Sequence, residues 1–206
     1  MIKKLLFFLL PAIAAVFACS PQAEDTRFVS YIATPGKIQM WKGGKAPLGS
    51  IAGLMHRLGQ QDETLIFAMN GGMYREDYEP LGIYIENNIL ISPLDTLEGK
   101  GNFYLKPNGV FSISNSGTAA ITPTQNFNLK DVTFATQSGP MLLVDGNIHD
   151  GFSKTSENLQ IRNGVGILPT GDVVFAMSKQ PINFYDFAMY FKNNGCKTAL
   201  YLDGFV

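Results

Sequence analysis

The 206 residues hold 16 Lys plus Arg against 17 Asp plus Glu, and 46% of the side chains are hydrophobic. That length fits one sizeable core and not two, so a single domain is expected. A formal charge of −1 gives no basic footprint for nucleic acid, and 16% charged residues beside 21 Gly and 15 Phe argue against a disordered chain or a coiled coil.

Lys3 and Lys4 precede an apolar run from Leu5 to Phe17 that only Pro11 interrupts. A charged start followed by an apolar stretch too short for a permanent span is the pattern of an export signal. The run closes on Val16-Phe17-Ala18-Cys19 and turns polar at Ser20-Pro21-Gln22-Ala23-Glu24-Asp25. A small residue before Cys at this place resembles the lipobox of bacterial lipoproteins. Residues 1–18 are therefore expected to be a signal peptide, Cys19 the lipid-bearing residue, and 19–27 a tether to the membrane of a bacterial cell envelope. Phe17 departs from the lipobox pattern, which keeps ordinary cleavage and a secreted or periplasmic product as the alternative. With Cys19 committed to the anchor, Cys196 has no disulfide partner and reads as a small packed residue.

Past the tether, Val29-Ser30-Tyr31-Ile32 and Ile38-Gln39-Met40-Trp41 flank Pro35-Gly36 and read as two strands and a turn. After Ser50, a ready N-cap, Ile51, Leu54, Met55 and Leu58 recur at helical spacing. Leu65-Ile66-Phe67-Ala68-Met69 is a continuous apolar run, as expected of a strand covered on both faces. Hairpin signals follow. Residues 82–86 and 89–92 flank Asn87-Asn88, and residues 103–106 and 110–113 flank Pro107-Asn108-Gly109. Residues 132–136 and 141–144 are separated by Gln137-Ser138-Gly139-Pro140, and 165–168 and 173–177 by a turn at Thr170-Gly171-Asp172. Asn183 can cap a helix whose Phe184, Phe187, Ala188 and Phe191 share one face, with Asn194-Gly195 to stop it. Residues 198–202 form a last apolar strand. The predicted class is α+β: mixed, largely antiparallel sheet with two or more flanking helices in one domain.

Two places share a grammar in which an apolar strand ends in a small polar residue and Gly. They are Met69-Asn70-Gly71-Gly72 and Leu202-Asp203-Gly204. A buried strand delivers its last residue to a fixed place, so Asn70 and Asp203 are candidates for neighbouring seats at one end of a sheet, although either pair can also simply open a turn. Ser138 lacks a nucleophile elbow around it, but its hydroxyl or backbone N–H can serve a ligand oxygen. Arg162, ahead of Asn163 and Gly164, offers a planar donor fork suited to a phosphodiester or a carboxylate. His149 sits in a turn-rich loop within reach of a substrate, while His56 falls on the first helix. No metal set, Walker loop or dinucleotide motif occurs, so neither metal nor cofactor is expected.

Taken in order, Phe67-Ala68-Met69-Asn70-Gly71-Gly72-Met73-Tyr74, Pro80-Leu81-Gly82, Gln137-Ser138-Gly139-Pro140-Met141, Arg162-Asn163-Gly164-Val165-Gly166 and Leu202-Asp203-Gly204 resemble the phosphodiester glycosidase domain. The resemblance spans about residues 28–206 and implies hydrolysis of a sugar joined through its anomeric carbon to a phosphodiester. Motif by motif, it implies catalytic roles for Asn70, Arg162 and Asp203, with Gly72, Ser138, Gly139, Asn163 and Gly166 around the substrate. Asp203 would attack, activate water or move a proton; a second carboxylate, if one is needed, would come from Glu76, Asp77, Glu79 or Asp150. The implied partner is a small or polymeric glycosyl phosphodiester. Members of that family continue beyond the Asp203-Gly204 turn, whereas this sequence stops at Val206, so a C-terminally truncated domain is expected. The alternatives are a non-catalytic envelope lipoprotein that binds a phosphosugar or a partner protein, and an inactive truncated product.

Overall fold

Several strand segments, such as residues 141–144 and 173–177, are continuously apolar, and the chain buries them by laying two antiparallel sheets face to face with further cover outside. The computed structural model describes residues 25–42 and 50–203. The expected signal peptide, Cys19, residues 19–24 of the tether and Gly204 lie outside the described residues. Residues 25–27 already belong to the fold: Arg27 pairs with Asp25 at 2.7 Å, and its carbonyl accepts from the Lys179 N–H.

The first sheet runs in the order β1 (Phe28–Ala33), β10 (Val173–Ser178), β9 (Asn163–Ile167), β11 (Ala199–Tyr201), β7 (Met141–Val144) and β8 (Asn147–Ile148). The second runs β3 (Ile89–Ser92), β2 (Tyr84–Glu86), β6 (Val132–Ser138), β4 (Gly109–Ser114) and β5 (Ala119–Pro123). Phe111, Ile113 and Phe134 of the second sheet meet Met141, Val165, Phe175, Leu200 and Leu202 of the first. The outer face of the first sheet is covered by α2 (Phe184–Asn193), whose Phe187 and Phe191 are fully buried. Burying each of those rings contributes roughly 2–3 kcal/mol of transfer free energy. Ile83, Ile85, Val110 and Ala135 fill the outer side of the second sheet beneath Leu94 and Phe127. The class is α+β, as the sequence predicts.

Local signals explain the boundaries. The Asn183 side chain accepts from the Asp186 N–H to cap α2, and Gly195 takes a φ of 80° just beyond its end. Asn87 and Asn88 take φ of 51° and 66°, the mirror-image turn that suits the twist of a two-residue hairpin between β2 and β3. The helix α1 (Ile51–Gly59) starts where Ser50 Oγ accepts from the Gly53 N–H at 3.1 Å. It buries only Leu58 and leaves Ile51 and Met55 exposed. None of the helices among the described residues is long and apolar enough to cross a membrane.

Four expected elements differ. Residues 38–41 are not a strand; a short 3-10 turn at Pro35–Lys37 leads into irregular chain, from which Ile38 and Met40 dip into the inter-sheet core. Residues 65–69 form no strand either. They cross the sandwich as an extended segment with Ile66 exposed and Phe67 stacked 4.9 Å from Tyr31, so an apolar run of strand length here is a cover, not a sheet member. Residues 103–106 do not pair with β4, because the second strand of that hairpin is β5, across the turn at Gly117. Residues 132–138 and 141–144 belong to different sheets, and Gly139-Pro140 is the corner between them.

Candidate active site

The centre of the first sheet sets the geometry of the site. Along β9 and β11, Gly166 faces Ala199, Val165 faces Leu200 and Gly164 faces Tyr201. The ladder continues, for the Leu202 N–H donates to the Asn163 carbonyl at 3.1 Å. The strand ends at Tyr201; the same register carried one further step would put Asp203 opposite Arg162. Residues directly opposite in an antiparallel pair share a face, here the α2 side that holds Ala199 and Tyr201. A guanidinium and a carboxylate 41 positions apart in sequence would then lie at the same end of one face.

Arg162 is only 1% exposed. Its Nε donates to the Ile182 carbonyl at 2.8 Å, and one terminal nitrogen donates to the Asn158 carbonyl at 2.9 Å. The guanidinium lies 3.6 Å above the centre of the Phe184 ring. Phe184 stacks in turn on Phe152 at 4.9 Å, and Phe152 on His149 at 4.6 Å, so four planar groups form one column beneath the sheet end. Burial pulls the guanidinium below the ordinary arginine value, and the adjacent Tyr201 hydroxyl opposes that pull. Such a site keeps a cation but presents none of it to solvent.

His149 has both ring nitrogens engaged. Nε2–H donates to the Lys106 carbonyl at 2.9 Å, and Nδ1 accepts from the Gly151 N–H at 2.9 Å. This fixes one neutral tautomer and makes the ring the foot of the column. Ser138 is fully buried, and its hydroxyl donates to the Leu202 carbonyl at 2.9 Å. It fastens the end of β11 to the second sheet, immediately before Asp203. Gly139 fits into that corner because a side chain there would meet the Phe103 carbonyl 2.5 Å away.

The remaining expected residues divide between ligand approach and packing. Gly72 crosses the end of β6, where its N–H donates to Thr136 Oγ1 and a Cβ would fall 2.5 Å from the Gln137 carbonyl. Half-buried Asn70 lies two positions before this crossing. Gly166 is on the same face as Arg162, farther along β9 under α2, where a Cβ would lie 2.6 Å from the Phe191 ring. Asn163 turns into the inter-sheet space with Val165 and Leu202, fully buried, and neither end of its amide meets a partner among the described residues. Glu76, Asp77, Glu79 and Asp150 are all exposed, and Glu79 pairs with Lys42 at 2.7 Å. Among the described residues no group of three His, Cys, Asp or Glu side chains is gathered as a metal site would need.

Sequence reasoning passes over two structural groups. Phe152 and Phe184 form the column, and only Phe184 carries a signal, as part of an apolar helix face. Gln137 Oε1 accepts from the Ile83 and Asp95 N–H groups at 3.0 Å each, while Nε2 donates to the Asp95 carbonyl at 2.7 Å and to Thr124 Oγ1 at 3.2 Å. A buried amide flanked by small residues is the available hint, and it points equally to a turn.

A sequence profile of the phosphodiester glycosidase family matches residues 63–206. The chain is 38% identical over 169 residues to the uncharacterized protein YigE of Escherichia coli (strain K12), covering 82% of this chain and 66% of that protein. Among solved structures it is similar to the catalytic domain of zebrafish N-acetylglucosamine-1-phosphodiester alpha-N-acetylglucosaminidase, auto-inhibited by its pro-peptide. That match has 20% identity and a TM-score of 0.48, over 66% of this chain and 49% of the other. A hypothetical protein from Synechocystis matches at 13% identity and a TM-score of 0.47, over 87% and 51%. The chain therefore spans somewhat under two thirds of its curated relative and about half of each solved structure.

Proposed function

The chain belongs to the phosphodiester glycosidase family, and from that premise we propose that it hydrolyses a glycosyl-1-phosphodiester at the end of the first sheet. The observation that carries the reading is the β9–β11 register, which, carried past Tyr201, would put Asp203 opposite the buried cation of Arg162 on one face. In the proposed step, water attacks the anomeric carbon while the Asp203 carboxylate takes its proton. The bond from that carbon to the bridging oxygen breaks, and the phosphate monoester leaves with the electron pair. A phosphate monoester is a weak base, so this departure needs less help from a proton donor than that of an ordinary alcohol. Arg162 supplies a fixed positive field beneath the reacting centre, where low dielectric strengthens it. Asn70 hydrogen-bonds sugar hydroxyls in this proposal, and Gly72, whose N–H is held by Thr136, lets the chain cross β6 closely. Ser138 and His149 act through the chain they hold: one fixes the approach to Asp203, the other closes the column under Arg162.

The same proposal includes export on the signal of residues 1–18 and attachment to the envelope membrane through Cys19. The test incubates the complete natural protein with a panel of glycosyl-1-phosphodiesters and follows released free sugar. Turnover that falls by orders of magnitude in Asp203→Asn supports the assignment, and the anomer first released reports whether the displacement is single or double. Saturable binding with no sugar released from any member of the panel would sink the hydrolase reading and leave a binding protein.

A further inference from the structure

The proposed substrate carries a negative phosphodiester, yet Arg162 is 1% exposed and donates to two backbone carbonyls. An anion arriving from water needs a cation that it can touch. Arg75 is one. It is exposed, and among the described residues its guanidinium has neither an acidic partner nor a hydrogen bond. It stands in the wall of a cleft of about 400 Å³ shared with Gly82 and residues 92–97.

The cleft is built in two halves. On one side, the loop after Gly72 closes on itself: the Leu81 N–H donates to the Met73 carbonyl at 2.9 Å, and Tyr74 bridges to Pro80. Arg75 is three positions beyond Gly72, so its backbone lies within about 11 Å of the crossing over β6 that follows Asn70. On the other side, Asp95 is pinned at both main-chain atoms by the Gln137 side chain. Its carboxylate accepts from the Leu97 N–H and the Tyr104 hydroxyl. Gly82 also lines the cleft; it takes a φ of 80°, and a side chain there would collide with Gln137 and Phe103. Ser92 and Thr96 contribute hydroxyls, while Pro93, Leu94 and Leu97 make an apolar wall. The Arg75 charge is felt inside: it partly offsets the upward push that burial and Asp95 exert on the Tyr104 phenol.

We propose that this cleft receives the phosphodiester anion together with the alcohol beyond it, with Arg75 on the phosphate oxygens and the Pro93-Leu94-Leu97 wall against an apolar stem. The proposal rests on the hydrolase reading for its substrate, but its binding test stands apart from turnover. The complete protein is titrated with dibutyl phosphate and dimethyl phosphate by calorimetry or NMR, with Arg75→Gln, Arg75→Lys and Asp203→Asn beside it. A charge-assisted fork predicts that Arg75→Gln weakens dibutyl phosphate about 10- to 100-fold, that Arg75→Lys is intermediate, and that dimethyl phosphate binds more weakly than dibutyl. Asp203→Asn should bind at least as well as wild type. Equal binding by Arg75→Gln, or no binding of either diester by the wild type, would overturn the proposal. Because the Arg75 side chain is exposed and unpaired, the melting temperature of Arg75→Gln serves as the folding control. If diester binding depends on Arg75 while no sugar is released, the hydrolase reading fails and the anion cleft stands.

Discussion

Gly166→Ala separates packing from ligand approach at a position that the sequence assigns to the substrate. The added Cβ would fall 2.6 Å from Phe191 Cδ1 and 2.9 Å from Cys196 Sγ. Neither neighbour can yield cheaply. Phe191 is fully buried and lies edge-on to Phe187 at 5.2 Å and to Tyr190 at 5.4 Å, while Cys196 is 3% exposed. Relief therefore requires α2 to move off the sheet, and overpacking of this kind costs about 1–3 kcal/mol. For a domain of this size the melting temperature should fall by roughly 3–10 °C. Urea unfolding measures the loss, and an unchanged slope would confirm that the native and unfolded states keep their extents. Phe191→Leu in the same chain should return part of the loss, so the two substitutions together cost less than their sum. KM should not change. Wild-type stability with a raised KM would refute the placement and return Gly166 to the substrate.

Arg162→Lys should lower stability by about 2–4 kcal/mol, because it removes the carbonyl bonds and the Phe184 stacking while keeping the charge buried. Asp203→Asn, at the half-buried end of β11, should leave the melting temperature little changed. Asn163→Leu should raise urea stability by about 1 kcal/mol or more, since a buried amide without partners costs about 1–3 kcal/mol; a loss instead would show the amide satisfied in solution. Burial pushes the Cys196 thiol up to about 11 from an ordinary value of 9.0, so the unfolded chain releases its proton first, and this group's contribution to stability declines as pH rises from about 9 to 11. The urea midpoint of wild type should fall over that range more than that of Cys196→Ala, and equal declines would contradict the burial.

What the sequence discloses follows the range of the interactions involved. Turns and caps are local, so the Asn87-Asn88 hairpin, the Asn183 cap and the Gly195 stop are readable from neighbouring residues. Sheet membership is not local. The run at residues 65–69 has strand composition, yet it joins neither sheet, and Val132 to Val144 looks like one hairpin although its halves belong to two sheets. The site shows the same division. Order along the chain proposes Asn70, Arg162 and Asp203 as a set, whereas the bonds that confine Arg162 come from the backbone carbonyls of Asn158 and Ile182, which no side-chain motif reveals. Glycine is the least specific letter. Gly72 and Gly166 both reflect close approach, one to β6 and the other to α2.

A guanidinium buried at this depth demands an explanation beyond fastening. Removing it from water costs several kcal/mol, which two carbonyls and an aromatic face only partly offset. An apolar side chain of similar volume would hold β9 against Phe184 without that cost. Fastening and field make different predictions in a cycle of Arg162→Lys with Asp203→Asn. If Arg162 only holds the chain, its substitution should scale turnover by the same factor whether residue 203 is Asp or Asn, and cooling well below the melting temperature should restore activity. If it acts through the carboxylate, the loss should persist in the cold and shrink sharply once the carboxylate is gone, because groups acting as a unit are not additive. Additive losses that vanish on cooling would reduce Arg162 to a structural residue and leave Asp203 to act without it.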